Sequence, residues 1–89
     1  MARFVAIAEV PGLTEAQFRQ AFDTMRKWRP ERRTWIVKAY CSLTDASVVV
    51  ECEAPEQPQF EAWLQKTGWQ IAHIHKVDFI HEAGDIWPM

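Results

Sequence analysis

Apolar and polar residues alternate along four stretches of the chain, and this alternation is typical of strands with one buried face. The predicted strands run over residues 3–10, 34–41, 47–54 and 73–82. In the second of them, Trp35, Val37, Ala39 and Cys41 are expected to share one face. The run from residue 42 to 46 has turn composition and is short enough for a hairpin, so the second and third strands should pair antiparallel.

Two other segments carry apolar residues at helical spacing. Thr14 can cap a helix whose third residue, Gln17, completes a capping box, and the apolar stripe then predicts a helix from Glu15 to Trp28. Pro30 ends it. A shorter helix is predicted over residues 57–66, and Gly68 stands where a glycine commonly follows a helix end.

The predicted order is therefore strand, helix, strand, strand, helix, strand. This order indicates an α+β fold of the ferredoxin-like βαββαβ type, a four-stranded antiparallel sheet with two helices on one face. The 89 residues fit one domain, with residues 1–82 as its core and residues 83–89 as a C-terminal tail too short for an element of its own.

The strands are apolar on both faces, although the helices can cover only one. Val49 stands beside Val48 and Val50, and Ile36 stands beside Val37. A second layer is needed, and a second copy of the chain packed sheet against sheet supplies it. The pattern thus predicts a homodimer of the dimeric α+β barrel type.

Composition and charge narrow the classes of partner. No apolar run approaches the roughly 20 residues that span a bilayer, and the N-terminus lacks the features of a secretory signal, so we expect a soluble, cytoplasmic protein with reduced thiols and no membrane partner. A net charge of −2 argues against nucleic-acid binding, although residues 26–33 hold five basic side chains. No glycine-rich phosphate loop is present, which argues against a nucleotide cofactor.

All three histidines lie in the predicted last strand, at positions separated by even numbers of residues. His73, His75 and His81 would share one face, and neutral imidazole is the commonest protein metal ligand. We therefore predict a site for a divalent transition metal such as nickel, zinc or copper, with His73 and His75 as the pair and His81 directed to a second site or to a partner subunit.

Four further residues are candidate metal ligands. In a ferredoxin-like sheet the last strand lies beside the first, so Glu9 is the nearest carboxylate, and Glu51, Glu53 and Cys52 lie one strand further away. The alternative is that the histidines are half-exposed strand residues that hydrogen-bond to water and backbone. The two glutamates on one strand face can likewise be solvated or paired with Lys38.

Several short motifs resemble those of a family of small bacterial domains of unknown function. They are Glu9-Val10-Pro11-Gly12, Trp35 with Tyr40 and the Asp45 turn, Glu53-Ala54-Pro55-Glu56, and Gly68 before the last strand. The described members of that family are ferredoxin-like dimers, and one of them binds nickel. The resemblance covers about residues 1–80 and implies the fold and metal binding. The wider dimeric α+β barrel group also contains small isomerases and monooxygenases.

Three functional hypotheses follow. The first is a small protein that binds a metal or another ligand through the strand histidines. The second is a cofactor-independent isomerase or monooxygenase-like enzyme that acts on a small apolar or aromatic substrate, with His73 or His75 as the acid–base group. The third is a structural or regulatory interaction module. Whether the protein is an enzyme is left open by the sequence.

Overall fold

The computed structural model describes residues 2–89 and contains two helices and six strands. The elements of the main body are β1 (Ala2–Glu9), α1 (Glu15–Lys27), β2 (Trp35–Ser42), β3 (Ser47–Ala54), α2 (Gln57–Leu64) and β4 (Gln70–Lys76). A C-terminal hairpin follows, made of β5 (Phe79–Glu82) and β6 (Asp85–Pro88). Among the described residues, neither helix is long and apolar enough to cross a membrane.

Strands β1 to β4 form one sheet in the order β2-β3-β1-β4, with every neighbouring pair antiparallel. One face of this sheet is the core. Alternate residues of β1 and β3 are buried there together with one side chain from α1 and three from α2: Phe4, Ala6, Ala8, Val48, Val50, Cys52, Ala54, Met25, Phe60, Trp63 and Leu64. The prediction of an α+β domain with a four-stranded antiparallel sheet and two helices is confirmed.

Local sequence explains where the helices begin and end. Thr14 accepts a hydrogen bond from the Gln17 amide, and the Gln17 side chain accepts one from the Thr14 amide, so the predicted capping box is confirmed. The Trp63 indole donates a 2.7 Å hydrogen bond to the Met25 carbonyl, which ties α2 to α1. A 3-10 turn follows α2 and ends at Gly68, whose φ of 73° is the left-handed conformation that glycine adopts readily.

The predicted last strand, residues 73–82, is in fact two strands. β4 starts earlier, at Gln70, and its pairing with β1 ends near Val77, whose amide donates to the Arg3 carbonyl at 2.8 Å. Within residues 2–89, the chain beyond Val77 forms no further strand pairs with β1. It pairs instead with the residues that follow it.

The prediction that the tail is too short for an element was wrong. Asp85–Pro88 forms β6 and pairs with β5. The two residues between these strands, Ala83 and Gly84, have φ values of 53° and 86°. Positive φ at both central residues is the signature of the tight hairpin turn whose twist matches paired strands, so a four-residue return strand is enough.

A bulge in β2 changes which of its residues share a face. The register shifts between Ile36 and Lys38, which leaves Val37 without a partner in β3. As a result Trp35 lies on the same face as Lys38 and Tyr40, whereas Ile36 joins the core. The prediction that Trp35 would share a face with Val37, Ala39 and Cys41 was therefore wrong.

Candidate functional site

The sheet face that the helices leave uncovered is here called the open face. Each strand contributes alternate residues to it, and the register aligns them in rows across the sheet. From β2 to β4 they are Trp35, Lys38, Tyr40 and Ser42; Glu53, Glu51, Val49 and Ser47; Arg3, Val5, Ile7 and Glu9; and Val77, His75, His73 and Gln70. This face combines charged groups, apolar side chains and two of the three histidines.

His73 and His75 form a stacked pair on the open face. Their ring centroids are 5.7 Å apart and the ring planes differ by 18°. His73 lies opposite Ile7 and His75 lies opposite Val5, so both imidazoles stand on the exposed edge strand beside an apolar patch of β1. Of the predicted ligands, these are the two histidines that the structure brings together.

A second bulge places the histidines on that face. The register of β4 against β1 shifts between Ile7 and Ala8 and leaves Ala72 unpaired. Strict alternation would put Ile71 on the same face as the histidines. The extra residue turns Ile71 to the core side, where Ile74 also packs, so Gln70 and not Ile71 is the open-face neighbour of His73 on β4.

The other predicted ligands lie at different places. Glu9 is exposed at the end of β1, opposite Gln70 and two residues beyond the partner of His73. His81 lies in the C-terminal hairpin, opposite Ile86. Within residues 2–89 the structure places no three His, Cys, Asp or Glu side chains close enough to hold a metal ion. A single chain therefore offers two imidazoles.

Cys52 lies on the opposite side of the sheet from the histidine pair. It is fully buried among core residues, its thiol donates to the Glu53 carbonyl at 3.4 Å, and burial raises the pKa of the thiol to about 12. A thiol must lose its proton to bind a metal or act as a nucleophile. Its complete burial on the core side of the sheet therefore argues against Cys52 as a ligand in the same site as the histidine pair.

Glu51 and Glu53 both pair with Arg3, a residue that is not among the site residues predicted from the sequence. Arg3 forms ion pairs with both glutamates, at 2.5 Å to Glu53, and the Trp35 indole donates to Glu53 at 3.1 Å. The side chains of Arg3, Glu51 and Glu53 are only 14%, 22% and 23% exposed. Arg3 precedes Val5 by two residues in the first strand, and this alternation is the sequence pattern that could have placed Arg3 on the open face.

Burial alone would lower the pKa of Arg3, but the hydrogen bonds and negative charges of Glu53 and Glu51 outweigh it and raise that pKa. The predicted partner of the glutamates, Lys38, lies opposite Glu51 but rests over the Tyr40 ring at 5.8 Å from its centroid. Tyr40 is the main cause of the raised pKa of Lys38, followed by the charges of Glu51 and Glu82.

Two hollows lie away from the histidines. A cleft of about 560 Å³ between α1 and the loop before β4 is lined largely by polar residues, with Trp69 at its wall. A smaller pocket of about 280 Å³ has an apolar lining with two arginines beside it: Phe22, Met25, Trp35, Ile36, Trp63, Arg26 and Arg29. Of these arginines, Arg26 pairs with Asp23 at 3.0 Å, and Arg29 donates to the Thr34 carbonyl at 2.5 Å.

No family model matches this chain, and no curated protein matches it. Among solved structures it is similar to the crystal structure of SCO4226 from Streptomyces coelicolor, with a TM-score of 0.74 and 18% sequence identity. The match covers 85% of this chain and 95% of that one. At this identity the likeness concerns the fold, and it fits a ferredoxin-like domain.

Proposed function

We propose that this protein is a homodimer of the dimeric α+β barrel type, with the ferredoxin-like βαββαβ order, and that it binds a divalent transition metal through His73 and His75. The observation that carries the proposal is the stacked imidazole pair on the open face. Both rings are exposed, and they lie on the edge strand, where an ion can reach them.

The chemistry of the pair supports this proposal. Residues i and i+2 of a strand are about 7 Å apart along the backbone, and imidazole nitrogens bind zinc at about 2.0–2.1 Å, so side-chain rotation can bring one nitrogen of each ring to a shared ion. Nickel, copper and zinc all accept imidazole ligands. Two ligands leave positions for other donors. Glu9 of the same chain and His81 of a second copy are the candidates.

Titration calorimetry of the untagged protein with Ni²⁺, Zn²⁺ and Cu²⁺ tests the proposal. We expect stoichiometric binding that weakens at least about tenfold, or about 1.4 kcal/mol, in His73→Ala and in His75→Ala. Gln70→Ala is the control, because Gln70 lies on the same strand and face but ends in an amide. The proposal fails if no metal binds, or if both histidine variants keep the wild-type affinity.

A second candidate function rests on the smaller pocket, whose aromatic walls and flanking arginines suit a small aromatic acid. No histidine or carboxylate lines this pocket, so it is suited to binding rather than to acid–base chemistry. An isomerase or monooxygenase-like activity would have to use the histidines of the open face. If no metal binds, this pocket is the site to screen next, and an interaction module is the remaining alternative.

A further inference from the structure

The C-terminal hairpin carries the two most exposed large apolar side chains among residues 2–89, and a third that is more than half exposed. Phe79 is 68% exposed, Ile86 is 67% exposed and Trp87 is 55% exposed. Of the eight large hydrophobic residues that are exposed within residues 2–89, six lie on the hairpin, at its end or on the open face: Phe79, Ile86, Trp87, Met89, Trp35 and Tyr40. The exposed apolar surface is thus concentrated in these two regions.

The hairpin has little internal support. Its two strands of four residues bond to each other, Met89 bonds back to Asp78, and the bond from Val77 to Arg3 joins its base to the sheet. An isolated two-stranded hairpin is marginally stable in water, and a third strand or a packed face is normally needed. A hairpin with this composition therefore needs a surface to pack on.

The two faces of the hairpin have different surroundings. Ile80 and Glu82 share one face with Trp87, and Ile80 is the one half-buried residue of the two strands. The half-burial of Ile80 indicates that this face of the hairpin is turned towards the rest of its own chain. Phe79, His81 and Ile86 occupy the other face of the hairpin, where all three side chains are exposed.

The amount of exposed apolar surface matches what a dimer needs. Taking about 200 Å² for a large side chain, the five of the six residues other than Trp87, which lies on the Ile80 face, leave roughly 570 Å² exposed in each chain, close to the lower end of the roughly 600–1,000 Å² that one partner contributes to a standard interface. Monomers rarely expose apolar patches larger than a few hundred Å². In a twofold dimer each of two hairpins finds the same surface on the other copy.

We propose that the hairpin docks, by the face that carries Phe79 and Ile86, on the open face of a second copy of this chain. The docking deepens the homodimer of the proposed function and rests on it. His81 lies on the docking face, so the same contact carries a third imidazole into the interface that holds the histidine pair of the other copy.

Light scattering on the full chain at micromolar concentration tests the docking. We expect twice the chain mass of 10.4 kDa for the wild type and the single-chain mass for Phe79→Ser with Ile86→Ser, which should weaken the dimer at least about a hundredfold. Leu43→Ser and Trp28→Ser are matched controls. These two residues are 50% and 64% exposed but lie elsewhere, so both variants should remain dimers.

A cooperative thermal transition and an unchanged far-ultraviolet circular dichroism spectrum must accompany the loss of the dimer, to show that the variant is folded. A wild type of single-chain mass, or a hairpin variant with an unchanged dimer, overturns the docking. Metal titration tests a separate claim. A dimer that depends on the hairpin but binds no metal supports the docking and refutes only the proposed metal site.

Discussion

Replacing Arg3 by methionine should destabilise the protein strongly although the residue lies near the N-terminus. Arg3 stands on a central strand between Glu51 and Glu53, and its ion pairs with both are largely shielded from water. Methionine keeps much of the length of the side chain but removes the charge. The substitution leaves two negative charges side by side on one strand, each less than a quarter exposed.

Removing one partner of a buried ion pair costs about 3–5 kcal/mol. The glutamates keep about a fifth of their surface in water, which screens part of this cost, and we expect a loss of about 2–3 kcal/mol. For a domain of this size, such a loss lowers the melting temperature by about 10–20 °C.

Thermal or urea unfolding at one protein concentration measures this loss. Arg19→Met is the control, since Arg19 also pairs with a glutamate but is 74% exposed, and exposed pairs of this kind contribute about 0.3–0.5 kcal/mol. Equal losses in the two variants would refute the assignment of Arg3, Glu51 and Glu53 as a buried ionic network.

Two more predictions follow from the structure. Burial favours the neutral thiol of Cys52, whose pKa is raised to about 12. The resulting contribution to the free energy of unfolding is present below the ordinary thiol pKa and is lost as pH rises towards 12, by up to about 4 kcal/mol. Urea unfolding between pH 8 and 11 should show this loss in the wild type and not in Cys52→Ala. If His81 acts across the interface, mixing a His73→Ala, His75→Ala chain with a His81→Ala chain should restore metal binding at one site per mixed dimer. Full metal binding by the unmixed His81→Ala chain, or no binding in the mixed sample, would show that His81 does not act across the interface.

The sequence predicted the core of this fold well because local and tertiary preferences agree there. The third strand has the predicted bounds, Ser47–Ala54, and its alternate residues Val48, Val50, Cys52 and Ala54 are all buried. The first helix begins at Glu15 as predicted because Thr14 and Gln17 form the capping box that their spacing indicates. In both cases the local sequence pattern and the burial of one face of the element specify the same structure.

The sequence did not predict the two bulges, because one extra residue in a strand leaves composition and approximate alternation unchanged. The bulge at Val37 decides that Trp35 lies on the open face, and the bulge at Ala72 decides that Ile71 does not. The break after Val77 reflects a change of strand partner, from β1 to the residues of β6, which is a long-range property. The histidine pair could therefore be predicted from the sequence, whereas the part that Arg3 plays on the same face could not.

Native mass spectrometry of the untagged protein with one equivalent of Ni²⁺ or Zn²⁺ per chain tests the central claim most directly, because it reads assembly and metal content together. We predict a species of twice 10.4 kDa that carries metal, and a His73→Ala, His75→Ala dimer that carries none. Metal retained by that double variant, or a metal-free wild type, would contradict the assignment of the open-face histidine pair as a metal site.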